Sequence, residues 1–348
     1  MITAPICEFV RRYRYSGALR MHMPGHKGTA LLGPEPLDLT EIEGADVLYH
    51  AEGIIRESEA NAAALFGTKK TVYSAEGSSL CIRAMLYLAL LHARANHKKP
   101  VIAAGRNAHK VFMTAAALLD LDIRWIYGAE SVISCTITPA QLEDVLVAEN
   151  PAAVYITSPD YLGNIADIKS LSAVCKKHGV LLLVDNAHGA YLHFLPEPMH
   201  PMQLGADICC DSAHKTLPVL TGGAYLHIAH GTPDMLAQRA ESAMALFAST
   251  SPSYLILQSL DAMNPLLATS FPAQLKACAE RLDTLKAKLR AHGYALCGEE
   301  RTKLCLLPKS FGYTGTALAE ILMHHNIYCE FSDADHLVMM FTPETTPA

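Results

Sequence analysis

VLLLVDNAHG, at residues 180–189, begins with five consecutive apolar residues and continues with an aspartate. An entirely apolar strand is typical of the middle of a parallel sheet, because helices cover both of its faces. Other short runs typical of strands occur at 71–75, 100–104, 123–127, 152–157, 206–211 and 223–228. Helical patterns at 79–94, 109–120, 139–148 and 169–178 separate several of them. The sequence therefore predicts an α/β fold with a mostly parallel central sheet covered by helices.

The pattern changes after residue 230. Two long helices are predicted at 252–268 and 272–291, and a smaller α+β region follows, with strands at 304–308, 327–331 and 336–341 and a helix at 314–325. We predict an N-terminal arm at 1–36, a large domain at 37–270 and a small C-terminal domain at 271–348. No helix is predicted after the last strand, so we expect that strand to be poorly covered, with missing sequence or a partner protein over it.

Composition excludes several classes of function. The 348 residues are 51% hydrophobic and 18% charged, which argues against disorder, and the net charge of −6 with no basic stripe argues against a nucleic-acid partner. The longest apolar run, AMLYLALLHA at 84–93, is too short to span a membrane. Ten cysteines without a CxxC pair, and no secretory signal, predict a cytoplasmic protein with reduced thiols. His22 and His26 flank a Pro-Gly pair that breaks a helix, so we predict no metal site.

Polar residues follow the predicted strands at the edge where ligands bind in open α/β sheets. AEGSSL at 75–80 places Gly77, Ser78 and Ser79 at the start of a helix, which suits a phosphate, although a plain helix cap is the alternative. Asp185 ends a buried strand, where a carboxylate is costly unless a cation meets it; capping a turn is the alternative.

Lys215, in DSAHKTLPVL at 211–220, follows Asp185 by thirty residues, and His109 begins a predicted helix. Each has an ordinary explanation as a solvated surface side chain. Together with the phosphate cradle, however, they are the parts that hold pyridoxal phosphate. Its aldehyde needs a lysine for an imine, and its ring nitrogen needs an anionic partner to stay protonated.

Longer motifs carry a family resemblance: MHMPGHKGT (21–29), FGTKKTVYSAEGSSL (66–80), LLVDNAHGAYLHF (182–194), DSAHKTLPVLTGGAYLH (211–227) and STSPSYLILQSLD (249–261). Across about residues 20–345 the chain resembles the ornithine/lysine/arginine decarboxylases, a group of fold-type-I enzymes that depend on pyridoxal phosphate. Val111, Asp160 and Leu162 depart from the pattern of that family.

The resemblance implies a role for each matching residue. Lys215 would form the imine with the cofactor and Asp185 would pair with its ring nitrogen. His109 would stack on the ring, with Ala187 beneath it, and His188 would tune Asp185 or contact substrate. The phosphate would be bound by Gly77, Ser78, Ser79, Ser212 and His214. Thr250 or Ser251 would reach the cofactor of a neighbouring subunit, since the family works as a homodimer with shared sites.

The implied reaction is decarboxylation of lysine, ornithine or arginine to the corresponding amine, in polyamine metabolism. Glu330 and Asp333, in YCEFSDAD at 328–335, would meet the distal cation of the substrate; carboxylates facing solvent are the alternative. Two other functions stay open. One is another fold-type-I reaction such as aminotransfer, and the other is a catalytically impaired paralogue that binds cofactor and acts as a partner protein.

Overall fold

The computed structural model describes residues 2–128, 133–134 and 136–345. Among these residues, seven strands form a large sheet in the order β1-β7-β6-β5-β4-β2-β3. The strands are β1 (Lys70–Ser74), β2 (Val101–Gly105), β3 (Asp122–Ile126), β4 (Ala153–Thr157), β5 (Leu181–Asp185), β6 (Ile208–Asp211) and β7 (Ala224–Ile228). Strands β2 to β6 are mutually parallel, and β7 runs antiparallel to both of its neighbours. The predicted mostly parallel sheet is confirmed.

Helices cover both faces of this sheet. They are α1 (Pro5–Tyr15), α2 (Ile54–Phe66), α3 (Gly77–Ala95), α4 (Lys110–Leu118), α5 (Pro139–Glu149), α6 (Ile168–Lys177), α7 (Pro201–Leu204), α8 (Ala213–Thr216), α9 (Asp234–Ala245) and α10 (Tyr254–Ala268). Successive residues of a strand point to opposite faces, and the continuous apolar run of β5 serves two cores for this reason. Leu183 packs in the core on the α3 side, whereas Leu182 and Val184 pack in the core on the α6 side.

The carboxyl ends of the parallel strands lie at one edge of the sheet. β4 ends at Thr157, β5 at Asp185 and β6 at Asp211, and the pairing between strands puts Thr157 beside Asp185 and Asp185 beside Cys210. The segments that follow these strands therefore gather at one edge, which is the place where open α/β sheets bind ligands.

A second, antiparallel sheet forms the small domain, in the order β10-β11-β9-β8. Its strands are β8 (Ala295–Cys297), β9 (Lys303–Leu307), β10 (Phe331–Ser332) and β11 (Leu337–Met340), and its helices are α11 (Phe271–Ala291) and α12 (Gly315–His324). Helix α11 joins the two regions: Phe271 packs in the large core and Leu282 in the small one. The boundary at residue 271 stays a prediction.

The expectation of a poorly covered last strand is wrong. β11 lies between β9 and β10, and its Leu337 and Val338 are fully buried. Leu337 packs in the small-domain core, and Val338 contacts Leu162 of the large domain on the opposite face. The predicted strand at 327–331 is also shorter than expected, since only Phe331 of that run pairs in the sheet. Within the described ranges, no helix is long and apolar enough to cross a bilayer.

Candidate active site

A cleft of about 420 Å³ opens at the carboxyl edge of the large sheet. Its size falls in the range of ordinary small-molecule sites. It brings together most of the site residues predicted from the sequence: Gly77, Ser78, Ser79, His109, Asp185, Ala187, His188, Ser212, His214, Lys215 and Glu330. Ten of these come from the large domain, whereas Glu330 comes from the small one, so the cleft lies between the two.

Asp185 is 2% exposed and is held by neutral donors. The hydroxyl of Tyr155 donates to Oδ2 at 2.9 Å, and the N–H of Ala187 donates to Oδ1 at 3.2 Å. Burial, with the Asp185 carboxylate adding to it, raises the pKa of Tyr155 well above its usual value, so the phenol stays a donor. In the part of the chain that the structure describes, Asp185 forms no ion pair. A buried carboxylate of this kind suits a ligand that brings a cationic group.

Lys215 lies in the short helix α8, just beyond the end of β6, and its Nζ is 3.1 Å from Nε2 of His188. Burial lowers the pKa of the Lys215 amine, although Asp185 and Glu330 oppose this effect. A lysine amine with a lowered pKa is a better nucleophile near neutral pH, because more of it is unprotonated.

The start of α3 provides a phosphate cradle. Gly77 takes φ +71°, a left-handed conformation in which no atom lies within 4 Å of a Cβ added there. Gly77 is also the first residue of α3, which has 19 residues, and Ser78 and Ser79 follow it in the first turn, where the free N–H groups favour an anion. The hydroxyl of Ser212 donates to Ser78 Oγ at 2.7 Å, which joins the cradle to the segment that carries Lys215.

His109 caps α4 and lies on the cleft wall. Its Nδ1 accepts the N–H of Val111 at 3.2 Å, which orients the imidazole ring. Burial lowers the pKa of His109, so the ring is neutral at neutral pH and is suited to stacking. Ala187 follows Asp185 by two residues and has only a methyl group to present to the cleft.

Glu330 is exposed at the cleft and accepts a hydrogen bond from the hydroxyl of Tyr161 at 2.8 Å. Tyr161 packs edge-on against the rings of His188 and Phe331, each with centroids 5.2 Å apart. Tyr161 belongs to the large domain and Glu330 to the small one, so this contact fixes a carboxylate at the opening between them.

The family is decided by comparison with known proteins. A family model described as "Orn/Lys/Arg decarboxylase, major domain" matches residues 4–295. The chain belongs to the Orn/Lys/Arg decarboxylase family. It is 31% identical over 368 residues to an arginine decarboxylase of Bacillus subtilis (strain 168), covering 97% of this chain and 73% of the relative. A protein named arginine decarboxylase from Halalkalibacterium halodurans is 30% identical, with 94% and 71% covered.

Solved structures of lysine decarboxylases share the fold. The enzyme of Francisella novicida superposes with a TM-score of 0.79 at 17% identity, and lysine decarboxylase A of Pseudomonas aeruginosa with 0.82 at 15%. Each match covers 99% of this chain and 58% of the other protein. The predicted fold class, a fold-type-I enzyme of the pyridoxal-phosphate-dependent group, is confirmed.

Pyridoxal phosphate, the cofactor predicted from the sequence, fits this member of the decarboxylase family. Asp185 is buried among neutral donors and faces the cleft, as a partner of a protonated ring nitrogen must. The cradle at Gly77–Ser79 suits the phosphate, and Lys215 supplies the amine for the aldehyde. The roles of the individual residues stay predictions.

Three predicted residues of this decarboxylase-family chain are absent from the described lining of the cleft. The carboxylate of Asp333 accepts the N–H groups of Asp335 and His336 within its own turn, so its predicted contact with substrate gains no support. Thr250 and Ser251 are exposed in the loop before α10. Their predicted role in the site of a second subunit stays a prediction.

Sequence reasoning missed Tyr161, Tyr155 and Lys303, which contact the predicted residues directly. Asp160, one of the departures from the family pattern, orders the loop that carries Tyr161. Its carboxylate accepts the N–H groups of Leu162 and Asn164, both at 2.9 Å. The position of Tyr161 directly after β4, at the same edge as Asp185, is the signal that could have revealed it.

One group of buried side chains resembles a metal site: ligand atoms of His200, Cys209 and Asp211 lie within 4.8 Å of one another. Hydrogen bonds account for this cluster. Asp211 Oδ2 lies 2.9 Å from His200 Nε2 and 3.2 Å from His227 Nε2, and its Oδ1 accepts from the Asn186 amide. We therefore interpret the cluster as a hydrogen-bonded network that supports the end of β6.

Proposed function

We propose that the protein catalyses pyridoxal-phosphate-dependent decarboxylation of a basic amino acid: arginine, lysine or ornithine. One observation carries the proposal. A buried carboxylate, Asp185, a partly desolvated amine, Lys215, and an exposed carboxylate, Glu330, line the same cleft. The relatives named arginine decarboxylase, and the family to which the chain belongs, support this reaction.

The residues that line the cleft have different roles toward the cofactor. When bound, pyridoxal phosphate supplies a protonated ring that accepts the electron pair of the breaking C–C bond. Asp185 holds the proton on the ring nitrogen, and Tyr155 fixes the Asp185 carboxylate. His109 would cover one face of the ring, and Ser78 and Ser79 would hold the phosphate; all three line the cleft. These contacts orient the reacting bond and exclude water from it.

Glu330 is the group that we propose for recognition of the distal cation of the substrate. Its carboxylate is aimed by Tyr161 across the cleft, and a carboxylate is the natural partner of an ammonium or guanidinium group. Arginine, lysine and ornithine each carry such a group but differ in side-chain length. Comparing the three as substrates measures which length the cleft prefers.

Release of carbon dioxide from arginine, lysine and ornithine tests this function. We expect turnover with at least one of the three, and loss of both turnover and borohydride-fixed cofactor in Lys215→Ala, because no other amine takes its place. Purified protein that binds the cofactor and is fixed to it at Lys215, yet releases no carbon dioxide from any of the three, would contradict the proposal and favour an impaired paralogue.

We also propose a homodimer in which Thr250 or Ser251 of one subunit completes the site of the other. The exposure of both residues outside the cleft of their own chain supports this arrangement. Mixing Lys215→Ala protein with a Thr250→Ala/Ser251→Ala variant should restore activity, since hybrid dimers then contain one intact site. Activity no higher than that of either variant alone would count against shared sites.

The nine described cysteines are all free, which supports a reducing cytoplasm.

A further inference from the structure

A buried lysine of the small domain, Lys303, extends behind the cleft into the large domain. It begins β9 and is 3% exposed. Its Nζ lies 2.8 Å from Glu300 Oε2, 3.1 Å from the carbonyl oxygen of Asp160 and 3.5 Å from His188 Nδ1. An ammonium group has three N–H donors and no acceptor, and all three neighbours can accept. Lys303 is therefore suited to the charged form, with its charge balanced by Glu300.

His188 lies between this ammonium and the cofactor lysine. The ring is 6% exposed, with Nδ1 facing Lys303 and Nε2 at 3.1 Å from Lys215 Nζ. A neutral imidazole has one N–H and one acceptor nitrogen. If Lys303 donates to Nδ1, the ring proton must be on Nε2. That N–H then points at Lys215, and only a neutral amine has the lone pair to accept it.

We propose that Lys303, acting through His188, holds Lys215 in its neutral, nucleophilic form. Lys303 is a positioning residue in this scheme, because it touches His188 and not the cofactor amine. The inference rests on the proposed function only in taking Lys215 as the lysine that binds the cofactor. It concerns the protein before cofactor capture, when the amine of Lys215 is free.

The charges around both groups agree with this arrangement. Burial, followed by the charge of Lys303, lowers the pKa of His188 well below its usual value, so the ring stays neutral. His109 and His214 act on the ring in the same direction, and Tyr161 packs against its edge. Around Lys215, the charges of Asp185 and Glu330 and the Cys210 thiol favour the ammonium form, whereas burial and Lys303 favour the neutral amine.

The opposite arrangement makes a different prediction. A proton transferred from Lys303 to Glu300 would leave a neutral pair, and burial does raise the pKa of Glu300. Lys303 would then accept from Nδ1–H and Nε2 would accept from Lys215, so the contact would no longer require Lys215 to be neutral. The two arrangements differ in which nitrogen of His188 carries the proton.

The tautomer is measured by ¹⁵N NMR of cofactor-free protein labelled at histidine, with the His188 signals assigned by their loss in His188→Gln. We expect a protonated Nε2 and an unprotonated Nδ1 near neutral pH. A protonated Nδ1, alone or together with Nε2, would overturn the proposal. The readout itself is made on the native protein, and the His188→Gln variant serves only to assign the signals.

The second readout is the pH dependence of cofactor capture. Cofactor-free protein is mixed with pyridoxal phosphate, the product is fixed with borohydride, and Lys215 is quantified by mass spectrometry. In the double variant Lys303→Met/Glu300→Gln, which removes the ion pair without stranding a buried charge, we expect the profile to move to higher pH. A shift of one pKa unit makes capture about tenfold slower near neutral pH. An unchanged profile, or one moved to lower pH, would refute the proposal.

Two variants control this experiment. Lys303→Arg keeps a cationic donor and should return the profile towards that of the native protein. Lys286→Met removes an equally buried lysine of the same domain, 8% exposed, whose Nζ donates to the carbonyl oxygen of Glu300 at 2.7 Å. Its profile should match that of the native protein. Cofactor capture is measured without turnover. The effect of Lys303 on Lys215 can therefore be tested even if the protein decarboxylates none of the three amino acids.

Discussion

Two aspartates end neighbouring strands of the large sheet, and their surroundings differ. Asp185 ends β5 and Asp211 ends β6, and both are buried, at 2% and 0% exposed. Each accepts from a cysteine thiol, but Asp211 also has His200, His227 and the amide of Asn186, whereas Asp185 has a phenol and a backbone N–H. The protein itself compensates the charge of Asp211. Asp185 has no such partner among the described residues. We therefore propose that Asp211 supports the fold and that Asp185 binds the cofactor.

Replacing Asp185 should produce the largest effect on activity. In Asp185→Asn, we expect decarboxylation to fall by about 10²–10³, because the ring nitrogen loses its anionic partner. The free energy of unfolding should change little, since the amide still accepts from Tyr155. Steady-state kinetics and denaturant unfolding measure the two quantities, and near-native turnover would show that Asp185 is a structural group like Asp211.

Asp211→Asn should give the reverse result. Burial alone would raise the pKa of Asp211, but the two histidines lower it well below its usual value, so the carboxylate is charged. Removing that charge breaks a buried network and should lower the free energy of unfolding by about 3 kcal/mol. The folded fraction should keep most of its turnover. If Asp211→Asn lost as much turnover as Asp185→Asn and kept its stability, the two aspartates would not differ in role as we propose.

We expect low pH to lower the free energy of unfolding through the histidines that lie near Asp211. Burial, followed by His200 and His227, lowers the pKa of His193 to about 4. The unfolded chain binds this proton near pH 6.5, so the stabilisation is complete above that pH and is lost as the pH falls towards 4. We expect a loss of roughly 3 kcal/mol from this residue over that range.

Denaturant unfolding of native protein and His193→Gln at several pH values measures that contribution. The variant should lose less stability than the native protein between about pH 6.5 and 4, since it has no imidazole to protonate. Parallel loss in the two proteins would show that His193 titrates in the folded state as it does in the unfolded chain.

A third carboxylate, Glu330, is exposed and should give the smallest effect. In Glu330→Gln, we expect the KM for the basic amino acid to rise about tenfold with little change in kcat, because the lost contact is made with substrate and transition state alike. Tyr161→Phe, which removes only the orienting hydroxyl, should raise KM by less. An unchanged KM in Glu330→Gln would remove this residue from substrate recognition.

The sequence predicts the strands of the large sheet well, but five of the ten described helices around it were not predicted: α1, α2, α7, α8 and α9. All seven strands lie within two residues of their predicted ends. The central parallel strands, such as β5, are marked by continuous apolar runs. Helix α2 was missed since its inner face carries the buried Ser58 and Glu59, which interrupt the apolar pattern. Helix α9 was missed because its inner face is made largely of Ala237, Ala240 and Ala243, which mark a buried stripe weakly.

The site was predictable where it follows strand ends and unpredictable where it depends on contacts between domains. Asp185 and Lys215 could be found because the topology places the segments after β5 and β6 at one edge. Lys303 could not, because its burial depends on Glu300 and on a carbonyl 143 positions earlier in the chain. Asp185 and Asp211 also look alike in sequence, since each simply ends an apolar strand.

The small domain contributes two groups to the cleft region, Lys303 inside the protein and Glu330 at its rim. They are separated in the chain and share no contact, so a mutation at position 330 leaves the surroundings of Lys303 intact. The charge of Glu330 nevertheless acts on Lys215, where it opposes the effect of burial, so replacing Glu330 by an uncharged residue would favour the neutral amine.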